Sequence, residues 1–262
     1  MTDMKSNLME YYDNQYNRLE ELELSDKVDL PSSRFEAFLH YFPKFFLGGT
    51  ILELAAGDGR LMRSLLASNL PITGYTASEI STSGLELLKQ TNDNRLSIER
   101  IDAEHIDEKG LVTYDVVIML ALIEHLIDPL LAMKKIRKII NPGGFVYIDT
   151  PNMAKFSRRL KLLFGRFPST ASVNEGLTTY WGKPTRLYDE GHLHYFTFRS
   201  ISLMLTRFCG FSKIIKLPYP VGLSFFGKKL PTGFTSVDKR IHLLLSKALP
   251  TLFSELAIIA YV

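Results

Sequence analysis

The stretch TILELAAGDGRLMRSLL, Thr50–Leu66, runs an apolar segment of strand length into a turn with two glycines and on into a helical pattern. Gly57 and Gly59 stand at that junction, where absent side chains let a ligand approach the backbone. A turn built for a pyrophosphate wants G-x-G-x-x-G with no carboxylate aimed at the phosphate. Here Met62 takes the third glycine's place, and Glu53 and Asp58 flank the turn. Two carboxylates repel a pyrophosphate and attract a cation. A ligand with a sulfonium and an amino group therefore fits better than NAD.

Outward from this turn, apolar runs of strand length alternate with amphipathic helical patterns across residues 50–150, the form of βαβ units and a largely parallel sheet. Strands are expected at 51–55, 72–78, 96–101, 116–120 and 145–150, with helices at 59–67, 82–90 and 129–139 between them. Asn141, Pro142 and Gly143 stop the last helix and turn the chain into the next strand. Further helices are expected at 7–24 and 34–46. Residues 153–190 read as an insertion that begins with a basic helix, 199–208 as a helix, and 211–217 and 254–262 as strands forming an antiparallel addition. The expected fold is α/β: a doubly wound, Rossmann-like seven-stranded sheet of five parallel strands plus an antiparallel edge. The units are N-terminal helices (1–49), a cofactor-binding core (50–151), a basic helical insertion or lid (152–190) and a C-terminal part with the edge strands (191–262).

Acidic residues recur at strand ends. Glu79 in ITGYTASEIS lies where a carboxylate after the second strand accepts from ribose hydroxyls. Asp102 in RIDAEH is the natural acceptor for the exocyclic amine of an adenine.

The chain resembles the class I S-adenosylmethionine-dependent methyltransferases, in particular the small-molecule, sugar or lipid O-methyltransferase branch that includes ubiquinone-biosynthesis enzymes. The resemblance rests on ILELAAGDGR, SEIS, IDAEH, YDVVIMLALIEHLIDP, INPGGFVYIDTPN and GHLHYFTFRSISLMLTRFCGF in that order, over residues 34–217. It implies S-adenosylmethionine as cofactor, with Glu53, Ala55, Gly57 and Gly59 around the methionine part, Glu79 and Ile80 around the ribose, Asp102 and Ala103 around the adenine, and Leu120 and Ala121 lining the end of the fourth strand. The family usually has glycine where Ala55 stands, so an added methyl group faces the cofactor's amino-acid end.

Methyl transfer from a sulfonium depends chiefly on holding the acceptor atom in line behind the methyl carbon, with a base as an aid. His125 in IEHLIDP follows the fourth strand, and His192 and His194 in GHLHYFT form a second cluster. His125 and His192 are the candidate catalytic residues. Of His192 and His194, one is expected to line the acceptor pocket and the other to be structural, with Tyr195 and Phe196 packing the loop; Glu124 orients His125. With no cysteine nearby and no third ligand legible, no metal is expected.

In KFSRRLKLLFGRF, Phe156, Leu160, Leu163, Phe164 and Phe167 fall at helical spacing, with Lys155, Arg158, Arg159, Lys161 and Arg166 on the other faces. Such a helix either lies on an anionic membrane surface or forms a lid over the active site. Residues 1–150 hold 15 Lys and Arg against 23 Asp and Glu, while 151–262 hold 16 against 5. The basic half suits a small acceptor that is anionic or lipid-linked. Dispersed basic residues without a recognition module argue against nucleic acid. The single cysteine, Cys209, and a polar N-terminus fit a reducing cytoplasm, with membrane contact at most peripheral. The function expected is methylation of an oxygen on a carbohydrate- or lipid-related acceptor; the alternative is a non-catalytic binding or regulatory protein on the same fold.

Overall fold

The structure, a computed structural model, describes residues 33–106, 112–170, 179–180, 183–184, 188–219 and 244–262. The expected helix at 7–24 and most of the tail at 219–253 lie outside the described residues. Seven strands form one sheet: β1 (Gly49–Leu54), β2 (Ile72–Ser78), β3 (Leu96–Glu99), β4 (Tyr114–Leu120), β5 (Ile140–Pro151), β6 (Lys213–Leu217) and β7 (Glu255–Tyr261). Their order across the sheet is β3-β2-β1-β4-β5-β7-β6. Strands β1 to β5 are parallel to one another, and β7 runs antiparallel between β5 and β6. The antiparallel addition is thus the pair β7 and β6, with the reversed strand one place in from the edge.

Among the described residues there are six α-helices: α1 (Arg34–Tyr41), α2 (Arg60–Leu66), α3 (Thr82–Leu88), α4 (Pro129–Lys138), α5 (Phe156–Leu163) and α6 (Phe198–Leu203). Alternation along the strands gives the sheet two apolar faces. Leu52, Val117, Met119, Val146, Ile148 and Ile258 pack on one side with Met133 and Ile136 of α4 and Ile201 of α6. Ile51, Val116, Ile118, Phe145, Tyr147 and Ile259 pack on the other with Phe38 of α1 and Met62 and Leu65 of α2. The sheet is therefore sandwiched between helical layers.

Local chemistry sets the boundaries. Ser33 accepts from the Glu36 amide and starts α1, and Pro43 falls in a 3-10 turn, Phe42–Lys44, that ends the α-helix before residue 46. Asp128 accepts from the Leu131 amide with Pro129 in the first turn of α4. The NPGG segment departs from expectation: it lies inside β5, as an irregularity between the Tyr114–Ile140 and Val116–Phe145 pairings. A Cβ on Gly144 would sit 2.4 Å from the Asp115 carbonyl oxygen, so only glycine permits that approach. Beyond α6 the helix widens into a π-helical turn, Met204–Phe208.

Arg34 ties α1 to the sheet through ion pairs with Asp149 of β5 and, at 3.2 Å, with Glu255 of β7. The direction of strand order reverses between β1 and β4. The loops after these two strands flank one crevice at the carboxyl edge, the place where open α/β sheets bind ligands.

Candidate active site

The turn after β1 is formed by three consecutive odd-numbered residues with left-handed backbone: Ala55 (φ 56), Gly57 (φ 60) and Gly59 (φ 76), the last at the N-cap of α2. A Cβ on Gly59 would meet Leu88 Cδ2 at 2.7 Å. Ala55 holds its left-handed conformation against the steric preference of an L-residue. The turn is pinned from β2: Glu79 accepts from the Gly57 amide at 3.0 Å, from Ile80 at 2.8 Å and from Ser81 at 3.1 Å. Three backbone donors occupy most of a carboxylate's roughly four lone-pair sites. Gly84 makes room, since its Cβ would lie 2.6 Å from Glu79 Cγ.

Glu53 is buried at the end of β1 and accepts from the Tyr75 hydroxyl at 2.6 Å. Burial pushes its carboxyl up to about 8, against the hydrogen bond from Tyr75, and the negative charges of Asp58 and Glu79 add to the rise. Among the described residues Glu53 has no ion pair. Asp58 differs from its expected role as a second charge for the ligand, because Arg60 neutralises it at 3.0 Å. Asp102, beyond β3, accepts from the Glu104 amide at 3.0 Å and pairs with His105 Nδ1 at 2.9 Å, and Ala103 beside it is buried. At the end of β4, Leu120 precedes Ala121, which is also left-handed (φ 49) and donates its amide to the Asp149 carbonyl.

A methyltransferase domain model matches residues 29–213 of the chain. The chain belongs to the methyltransferase domain family. Ubiquinone biosynthesis O-methyltransferases are similar over part of it: that of Pseudomonas paraeruginosa is 27% identical over 105 residues, 40% of this chain and 45% of its own length, and that of Caulobacter vibrioides 29% over 109 residues, 41% and 42%. The chain thus matches less than half the length of these curated relatives. Among solved structures, the DhpI-SAM-HEP complex has a TM-score of 0.62 at 15% identity, covering 99% of this chain and 98% of that one. A SAM-dependent methyltransferase from Archaeoglobus fulgidus has 0.54 at 14%, covering 86% and 91%. These likenesses show the fold.

The cofactor of this class is S-adenosylmethionine, and the glycine turn fits it. A buried carboxylate without a cationic partner, beside a turn of left-handed residues, suits an ammonium-bearing amino-acid group.

On the other side of the methyltransferase crevice, a 3-10 turn, Ile123–His125, follows β4. Its carbonyl at Glu124 accepts from the Leu193 and His194 amides at 2.8 and 3.1 Å, which brings the GHLHYFT segment alongside. His125 Nδ1 lies 3.1 Å from the Gly191 carbonyl oxygen, and the His125 and His192 rings are 4.8 Å apart at 63°. His192 Nδ1 lies 2.6 Å from Thr170 Oγ1, which is 3.0 Å from Asp189 Oδ2. Asp189 also accepts from Ser169 Oγ and, at 3.0 Å, from the Tyr195 hydroxyl. Burial depresses both imidazoles, His125 to about 3 with the His192 ring adding to the fall, and His192 to about 4 against the pull of Asp189. His194 turns away and places Nε2 3.2 Å from the Ile127 carbonyl. His192 thus lies against His125, and His194 packs on the other side of the segment.

Glu124 was expected to orient His125, and its carboxylate is held instead by Thr150. It is 1% exposed, takes the Thr150 hydroxyl on Oε2 at 2.9 Å, and burial pushes its carboxyl up to about 7 against the positive charge of Arg34. The sequence reading missed Thr170 and Asp189 as supports for His192, Tyr75 as the partner of Glu53, and Arg158. Arg158 is buried, not on a solvent face: it donates to the carbonyls of Asn152, Ser169, Thr170 and Ser254. Through Ser169 and Thr170, α5 is attached to the histidine loop.

Proposed function

We propose that the protein is an S-adenosylmethionine-dependent O-methyltransferase acting on a small hydroxylated acceptor related to carbohydrates or lipids. The observation that carries this reading is the set Glu53, Glu79 and Asp102 at the ends of three adjacent strands, facing the loop after β4 that bears His125. The family membership and the partial similarity to ubiquinone biosynthesis O-methyltransferases support it.

When bound, the cofactor supplies an electrophilic methyl group on a sulfonium. Glu53 holds the ammonium of its amino-acid part, with Ala55, Gly57 and Gly59 giving close backbone approach. Glu79 and Ile80 take the ribose, Asp102 and Ala103 the adenine, and Leu120 and Ala121 line the cofactor side of the crevice. His125 and His192, both neutral near pH 7, face the acceptor hydroxyl and orient it. Positioning accounts for most of the rate in such a displacement.

Leu162, Leu163 and Phe164 stand exposed at the end of α5 among Arg159, Lys161 and Arg166. An apolar tip ringed by basic residues suits a lipid-linked or anionic acceptor and contact with an anionic membrane surface. No helix among the described residues is long and apolar enough to cross a membrane.

Calorimetric titration with S-adenosylhomocysteine, with NADH as the control, tests the cofactor. Release of S-adenosylhomocysteine in the presence of hydroxylated acceptors tests the reaction. The fold does not decide it alone, because a structure of the [4+2]-cyclase SpnF has a TM-score of 0.54 at 11% identity. Cofactor binding without turnover on any glycan or lipid precursor would favour the non-catalytic alternative.

A further inference from the structure

Glu124, His125 and His192 present one ligating atom each, and these atoms all lie within 4.8 Å of one another. Glu124 and His125 come from the turn after β4 and His192 from a loop 67 residues later, so only the fold brings them together. Glu124 Oε1 is buried and has no hydrogen-bond partner, although Oε2 is held by Thr150. A buried oxygen left in this state costs free energy unless a proton or cation meets it.

The two imidazoles are arranged as ligands are. Donation from His125 Nδ1 to the Gly191 carbonyl sets the tautomer whose Nε2 is basic. Thr170 donates its hydroxyl to Asp189 and accepts from His192 Nδ1, which sets the same tautomer there. A carbonyl on one ring and a hydroxyl–carboxylate relay on the other are the kinds of outer partner that fix metal-bound histidines.

We propose that Glu124, His125 and His192 form a binding site for a divalent transition-metal cation, with zinc favoured by the two-histidine, one-carboxylate donor set. Four-coordinate zinc places its ligands about 3.3 Å apart at bond lengths of about 2.0 Å. Closing the cluster by roughly an ångström of side-chain movement reaches that spacing. Three protein ligands leave a coordination position open, as in catalytic sites. An acceptor hydroxyl that enters this position belongs to the function proposed above, and the catalytic meaning of the site rests on that reading. There the cation lowers the pKa of the acceptor hydroxyl. The O–H bond breaks, its electron pair stays on oxygen, and the proton leaves to solvent. The expectation of no metal rested on the absence of a cysteine and of a third ligand near His192 and His194 in the sequence.

The test uses the full chain, stripped with a chelator and titrated with Co²⁺ by visible absorbance and with Zn²⁺ by calorimetry. S-adenosylhomocysteine binding is measured in parallel. One equivalent of Co²⁺ should give the intense d–d bands of a four- or five-coordinate site. Glu124→Gln, His125→Gln and His192→Gln should each weaken Zn²⁺ binding more than tenfold, and Thr170→Val about tenfold through the lost relay. Unchanged S-adenosylhomocysteine affinity in these variants shows that they fold. No Co²⁺ or Zn²⁺ binding by the unmodified protein overturns the site while leaving the methyltransferase reading intact. Binding that survives all three ligand substitutions overturns it as well, because the cation then lies elsewhere. Metal binding without S-adenosylhomocysteine binding upholds the site and sinks the function proposed for it.

Discussion

The Tyr75 hydroxyl donates to Glu53 at 2.6 Å where both side chains are buried. The bond favours the charged form of Glu53, while burial favours the neutral form and prevails, at about 8. On the proposal that a cationic amino-acid group meets the carboxylate of Glu53, binding near pH 7 should release close to one proton. Affinity for S-adenosylhomocysteine should rise with pH from about 6 to about 8, by at most tenfold per unit, and then level off. Calorimetry in buffers of different ionisation enthalpy measures the proton count. Glu53→Gln should bind weakly with no such slope, and Tyr75→Phe, which removes a bond of about 1.5–3 kcal/mol to a charged group, should move the slope to higher pH. The stability effect has the opposite sign. With the folded pKa raised, this group's contribution is fully present below about 4.5 and is lost as pH rises through about 8. A pH-independent affinity would show that Glu53 does not meet the ligand.

Ala55 carries φ 56 in a position where a Cβ is disfavoured by about 1–2 kcal/mol. Ala55→Gly relieves that cost and adds back about 0.4–1 kcal/mol of chain entropy. The net expectation is a gain of up to about 1 kcal/mol in urea unfolding, with S-adenosylhomocysteine affinity equal or higher. Ala55→Val should lose stability, because a β-branched residue tolerates the left-handed region least. Equal stability for all three residues would contradict the backbone conformation at 55.

Much of this was legible before the fold was known. Buried parallel strands read as unbroken apolar runs, which is why Ile72–Ser78 was placed to the residue. The glycine turn was legible because its residue types follow from local geometry. What was hidden depends on contacts between distant segments. A helical wheel assigns every arginine to solvent, so Arg158 looked like Arg159, yet its guanidinium lies among backbone carbonyls. Glu124 and His192 carry no pattern that pairs them, because the loop after β4 and the loop before α6 are distant in sequence and meet through contacts that only the fold makes, among them those of the Glu124 carbonyl and the His125 ring. The pairing of Asp58 with Arg60, two residues apart, was accessible to reading but was overlooked.

Arg34 is the cation that faces Asp149, a carboxylate 1% exposed in the sheet interior. Arg34→Met leaves that carboxylate buried without its partner, a change that costs about 3–5 kcal/mol in comparable pairs. The Arg34→Met/Asp149→Asn double variant should recover part of the loss, since both charges then leave together. Chemical denaturation of the four proteins completes the cycle. A loss below about 1 kcal/mol for Arg34→Met would mean that the pair does not anchor α1 to the sheet.

Neighbouring arginines on α5 should behave in opposite ways. Arg158 makes hydrogen bonds to four backbone carbonyls, so Arg158→Met should destabilise the fold by at least about 3 kcal/mol. It should also disturb the His192 loop, because two of those carbonyls belong to Ser169 and Thr170. Arg159 and Arg166 are exposed beside Leu162, Leu163 and Phe164, and Arg159 donates to the Ala154 carbonyl at 2.6 Å, so Arg159→Glu/Arg166→Glu should cost only about 1 kcal/mol of stability. Each basic residue near an anionic surface contributes about 1 kcal/mol, so that double reversal should weaken co-sedimentation with phosphatidylserine-containing vesicles more than tenfold. Leu163→Asp/Phe164→Asp should do the same by removing the apolar tip. Raising the salt concentration separates the two contributions, since only the electrostatic one is screened. If the unmodified protein does not sediment with anionic vesicles at low salt, the exposed tip of α5 is not a membrane contact, and the lipid-linked class of acceptor loses its structural support.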